Sequence, residues 1–133
     1  MLNPLPQLLT FSFFAPTLLR ITVACVFFYI AYIHTQRRKE IGATRFILVG
    51  AMGVWASWVL VVLEAGVALG LFLGYYTQIA ALLGLLLCIK SFVWAKKYPR
   101  VFFLCRIEYI LLFVICLSLL LTGAGAFAFD LPL

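Results

Sequence analysis

Apolar residues gather in four long runs along this chain, and polar residues are confined to what lies between them. The first run reads from about Pro16 to Ile33 and ends in the charged stretch HTQRRKEIGATR. A second extends from Phe46 to Gly74, with Glu64 as its only formal charge. A third follows from Gln78 to Trp94, and a fourth from about Phe103 to Thr122. Each is long enough to cross a hydrocarbon core, which takes roughly 17–25 residues as a helix. In such a medium every backbone N–H and C=O must be satisfied within the span, so the runs are predicted to be helices.

The second run is too long to be one straight crossing. Its 29 residues would rise roughly 43 Å as a helix, against a core of about 30 Å. Gly50, Gly53 and Ser57 favour a break, since these residues weaken a helix interior. A short interfacial helix over 46–54 is therefore expected, with the second span over 58–73. Pro16 suits a first helical turn. Gly74-Tyr75-Tyr76-Thr77 is a tight turn, Pro99 ends the third helix, and Gly123 and Gly125 are helix stops. The expected architecture is all-α, a four-helix transmembrane bundle. It forms one domain over 1–133, with spans near 16–33, 58–73, 78–94 and 103–122.

Composition agrees. Of 133 residues, 67% are hydrophobic and 11% charged, and mean hydropathy is +1.21. A soluble domain has about 25% charged residues, so this chain lacks the polar surface for a water-soluble globule, and it is too apolar for disorder. Residues 1–15 carry no charge, so the positive n-region of a signal peptide is not expected. Cys25, Cys88, Cys105 and Cys116 form no CxxC and each lies in an apolar run, so all four are expected as buried free thiols. The one histidine, His34, leaves little basis for a metal site. It is expected to be solvated or interfacial where the first helix exits.

The net charge of +6 comes mostly from two connecting segments. Arg37, Arg38, Lys39 and Arg45 follow the first span, and Lys96, Lys97 and Arg100 follow the third. The positive-inside rule places both segments in the cytoplasm and both termini outside. Trp55, Trp58 and Trp94 then fall at inner boundaries, and Tyr75 and Tyr76 at the outer one. Membrane orientation explains the basic charge without a nucleic-acid partner.

Five charges lie within the spans: Arg20, Glu64 and Lys90, with Arg106 and Glu108 at the start of the fourth. An ionised group at a span centre costs about 2.5–3.5 kcal/mol on insertion scales, which pairing lowers. Glu64 is expected near mid-bilayer, with Lys90 on the next helix leaning toward it and Arg20 as the rival partner. This polar site either orders the bundle or serves a quinone headgroup or a proton. Arg106 snorkels at the start of the fourth helix, and Glu108 is favoured by that helix's positive end. Gly66, Gly70 and Gly74 make a ridge for close packing, against Ala80, Ala81 or Gly84 or against a second copy in a homodimer.

The stretch LEAGVALGLFLGYYTQIAALLGLLL resembles the central signature of the DoxX family of small bacterial membrane proteins. The matching positions are Glu64, Gly66, Gly70, Gly74, Thr77, Ala80 and Ala81. LLRITVACVFF is similar to the family's first helix, with Arg20 as its early arginine. GAGAFAFD resembles the family's closing segment, with Gly123, Gly125 and Asp130. The chain departs from the pattern at Gln78, Ala24 and Ala31 and lacks a histidine late in the third helix. The resemblance implies a four-helix bundle in the bacterial cytoplasmic membrane and a link to membrane redox chemistry. The chain would then be a subunit or scaffold beside a membrane or peripheral redox enzyme, with a quinone as the candidate cofactor, rather than a stand-alone enzyme. Asp130, carried on a tail anchored by Phe127 and Phe129, is expected to meet Arg20 and close the outer mouth of the bundle. The competing readings are a small proton-coupled transporter and an assembly protein without ligand. A thiol oxidase would need a reactive cysteine pair near the outer face.

Overall fold

The computed structural model describes residues 14–43, 45–46, 50–51, 54–99 and 104–123, and these form five helices. They are α1 (Ala15–Gln36), α2 (Arg38–Ala43), α3 (Val54–Leu73), α4 (Thr77–Ala95) and α5 (Arg106–Thr122). Three of them are long and apolar enough to cross a membrane: α1, the Trp55–Leu73 stretch of α3, and α4. The fourth apolar run is α5, of 17 residues, at the short end of the roughly 17–25 a crossing takes.

The expected interfacial helix over 46–54 is corrected. The short helix lies earlier, at Arg38–Ala43, and the chain then makes a two-residue antiparallel pairing, Arg45 with Ala51 and Phe46 with Gly50. Ile41 explains the earlier position. It is buried on α2, and it packs with Ala95 and Tyr109. That contact also brings the segment after α1 and the segment after α4 to one end of the molecule. Arg37, Lys39, Lys96 and Lys97 are exposed there, so the two basic segments form a single basic end.

Helix α1 packs on α3, α3 on α4, α4 on α5, and α5 returns to α1. Buried residues follow helical spacing. On α1 they are Thr17, Arg20, Val23, Ala24, Phe27, Ile30, Ala31 and His34, steps of three and four along one face. The same stripe on α3 holds Ser57, Leu60, Val61, Glu64, Val67, Ala68 and Leu71. Val23, Phe27, Val67, Leu71, Leu85 and Leu119 belong to the shared core.

The outer surface inverts the soluble pattern. Leu18, Tyr29, Val62, Phe72, Leu86 and Leu121 are exposed, while Arg20, His34 and Glu64 are buried. Charged residues are almost never fully buried in water-soluble proteins unless paired. Such an exterior suits lipid, which solvates apolar side chains as well as the core does.

Turn and cap chemistry fix the ends. The α3–α4 turn needs left-handed backbone, with φ of 67° at Gly74 and 49° at Tyr76. Glycine adopts the first without penalty. At the start of α5 the Cys105 N–H donates to Glu108 Oε2 at 2.7 Å, and the Cys105 sulfur accepts from the Glu108 N–H. This reciprocal cap satisfies the Cys105 N–H and gives the Glu108 N–H, which also donates to the Cys105 carbonyl at 3.1 Å, a second acceptor. Glu108→Ala is expected to destabilise the fold by about 1 kcal/mol, in line with other cap deletions, measurable as a lowered unfolding midpoint in detergent.

Candidate functional site

The buried stripes of α1 and α3 meet at an acid–base pair. His34 Nδ1 and Glu64 Oε2 are 2.7 Å apart, with side chains 1% and 3% exposed. With the carboxylate ionised, the ring N–H donates to it. Two local features place the histidine. α1 runs three residues beyond the expected end at Ile33, and the Thr35 hydroxyl donates to the Ala31 carbonyl at 2.7 Å within that last turn. His34 therefore stays helical and falls on the face that carries Phe27 and Ile30. The expectation of a solvated His34 is overturned by this burial.

The pairing also sets the register. His34 meets Glu64, and further along the chain the Arg38 guanidinium stacks over the Trp58 ring at 5.2 Å. Advancing from α1 into α2 thus means retreating along α3, so α1 and α3 are antiparallel. Arg20 lies fourteen residues before His34 on the same helix, a rise of about 21 Å. The two side chains together cannot bridge that, so the structure separates Arg20 from Glu64. Glu64 lies at the middle of α3, ten residues from Val54 and nine from Leu73. Trp58, under Arg38, is six residues before Glu64, only about 9 Å along α3.

Lys90 is largely buried on α4, and its charge interacts with that of Glu64. Of the three charges expected to share one site, the structure thus brings Glu64 and Lys90 into electrostatic range and supplies His34 as the contact partner. Asp130, Phe127 and Phe129 lie outside the described residues.

A small cavity borders Glu64, lined by Phe27, Ile30, Glu64, Leu87, Cys88, Ser91, Tyr109 and Leu112. Its volume is about 10 Å³, on a scale where a single water needs roughly 10–15 Å³. Three of its side chains, Glu64, Ser91 and Tyr109, carry oxygen. A quinone headgroup does not fit a space of this size.

The cysteines divide. Cys25 and Cys105 are exposed, which corrects the expectation of four buried thiols, while Cys88 and Cys116 are buried. The last two adjoin each other across α4 and α5, although they are far apart in sequence. Gly84 makes room for Cys116, since a Cβ there would lie 3.3 Å from its Sγ. Among the described residues no three His, Cys, Asp or Glu side chains converge as a metal site would need.

The glycine ridge also divides. A Cβ at Gly70 would stand 3.1 Å from the Ala80 Cβ, so this glycine seats α3 on α4. One at Gly66 would meet nothing within 4 Å. Gly74 serves the turn.

Chemically, an imidazole and a carboxylate sharing a hydrogen bond in a dry interior make a site that can hold one proton in excess of the neutral-ring, ionised-acid form. Compared with known protein families, with curated protein sequences and with solved structures, the chain matches none.

Proposed function

We propose that this chain is a DoxX-type integral membrane protein of the bacterial cytoplasmic membrane, built as a four-helix bundle of α1, α3, α4 and α5. It works as a subunit or scaffold beside membrane redox enzymes, with the His34–Glu64 pair as its internal polar centre. One observation carries the reading: the charged pair is sealed inside while the surface around it is apolar. Ile110, Leu111 and Val114 of α5 are exposed like the apolar faces of the longer helices, which supports a fourth crossing. The single basic end supports an orientation with both connecting segments in the cytoplasm and both termini outside. The redox association rests on the resemblance at Glu64, Gly66, Gly70, Gly74, Thr77, Ala80 and Ala81. Because the cavity beside Glu64 is water-sized, quinone chemistry on this reading belongs to the partner enzyme.

Purification from native membranes with lipid, followed by mass spectrometry of bound cofactors and proteins, tests the proposal. A redox-enzyme subunit retained in near-stoichiometric amount is the expected result. Protein free of any partner, with membrane quinone reduction unchanged in a deletion strain, would overturn it in favour of a structural role. The buried acid also favours a second reading, a small proton-coupled transporter. Proton-linked uptake into vesicles that is lost in Glu64→Gln would select it.

A further inference from the structure

We propose that Arg38 and Arg106 each hold the phosphate of an anionic phospholipid at the basic end of the molecule, with the acyl chains lying along the apolar helix faces that lead away from them. The proposal rests on the reading of the chain as membrane-spanning. It is independent of the redox association and of the His34–Glu64 pair.

One device positions both arginines. The Arg38 guanidinium of α2 lies over the Trp58 ring of α3, and the Arg106 guanidinium of α5 lies over the Phe92 ring of α4, each 5.2 Å from the ring centroid. A guanidinium held over a ring face has its N–H groups at the rim, where a phosphate can be gripped at two points. The ring contact also restricts a long side chain before the ligand arrives, which lowers the ordering cost of binding.

The depth matches a headgroup. Trp58 is four residues from the start of α3 and Phe92 is three from the end of α4, at most about 6 Å along either axis. Both helices are long and apolar enough to cross a membrane, so rings this near their ends reach the interface. Trp94 and Tyr98, in edge contact at 6.3 Å at the same end of α4, are an aromatic pair of the kind that marks that level.

The charge selects an anion. Among the described residues of this end, Arg37, Arg38, Lys39, Lys96, Lys97 and Arg106 stand against Glu40 and Glu108. Each acid is two residues after one of the two arginines on the same helix, a spacing that turns the side chains apart. Glu108 is also engaged by the Cys105 N–H. On the positive-inside reading this end faces the cytoplasmic leaflet, whose surface is anionic.

The apolar surface selects a lipid over free phosphate. On the Trp58 face of α3, Val62 and Leu69 are exposed. Arg106 heads a stripe of Ile110, Val114, Leu117 and Leu121, all exposed, at steps of three and four along one face of α5. A ligand with a charged head and an apolar tail meets both kinds of surface at once.

To test this, the full chain in nonionic detergent is titrated with dioleoyl phosphatidylglycerol and with dioleoyl phosphatidylcholine, and native mass spectrometry counts the bound lipids. The anionic lipid should bind about tenfold tighter, the worth of one charge-assisted hydrogen bond. Arg38→Lys and Arg106→Lys keep the charge and remove the planar fork, so each should weaken one bound lipid about tenfold. Binding like the parent's in both variants would overturn the proposal in favour of diffuse attraction, to which lysine contributes as arginine does. Dihexanoyl phosphatidylglycerol should bind less tightly than the dioleoyl form. Equal affinity, or displacement of the lipid by equimolar inorganic phosphate, would overturn the seating of the chains. Displacement by equimolar polyglutamate would overturn the lipid in favour of an acidic protein partner. Alkaline carbonate extraction checks the underlying reading separately. Protein that stays in membranes yet shows no preference for the anionic lipid overturns this proposal alone, whereas protein washed from them overturns the membrane reading.

Discussion

His34→Leu is expected to lower the stability of this fold by about 3–5 kcal/mol, the usual consequence of removing one member of a buried ion pair. The loss arises because Glu64 would remain, 3% exposed, without its hydrogen-bond partner. The double variant His34→Leu with Glu64→Met should recover most of that loss, since it removes the charge along with its partner at similar volume. Lys90 would then lose its neighbouring charge. Being largely buried, it should keep part of the loss in the double variant, to the extent that its stem cannot carry the ammonium to a polar boundary. Equilibrium unfolding of the four members of the cycle in mild detergent checks this. The expected coupling is larger than either surface ion pairs or simple packing would give. A His34→Leu protein as stable as the parent would show that the pair contributes nothing to the fold.

The second large effect separates two glycines one helical turn apart on α3. Gly70→Leu is expected to cost about 3 kcal/mol, the upper end of the roughly 1–3 kcal/mol typical of overpacking. A Cβ at that position already stands 3.1 Å from the Cβ of Ala80. That atom is fixed to the α4 backbone, so relief requires α3 and α4 to move apart. Gly66→Leu should be neutral or slightly stabilising, because nothing lies within 4 Å of its Cβ and a helix interior prefers leucine to glycine by somewhat under ~1 kcal/mol. Thermal unfolding of the two variants side by side tests the contrast. Equal losses would mean that the Gly66 face is also packed, as a homodimer contact through this ridge would require.

The pair at His34 was partly legible from spacing. Phe27 and His34 are seven apart, as are Ser57, Glu64 and Leu71, and such steps share a helix face. The signal was hidden because a histidine next to Gln36, Arg37 and Arg38 reads as the polar end of a span. Nothing in the chain marks the extra helical turn that keeps it inside. The Cys88–Cys116 contact had no local signal at all, since it depends on how α4 and α5 dock.

The sequence by itself determined that the chain is helical and too apolar for water, and roughly where its long helices begin and end. Those properties follow from run length, charge placement and residues such as Gly74 and Pro16, all of them local. Only the tertiary structure decided which charged residues share an interior, because that depends on helix rotation and on the offset of α1 against α3. An offset of a few turns moves Arg20 about 21 Å from the acid and puts His34 beside it, and the packing of Gly70 on Ala80 and of Ile41 against Ala95 and Tyr109 belongs to that arrangement.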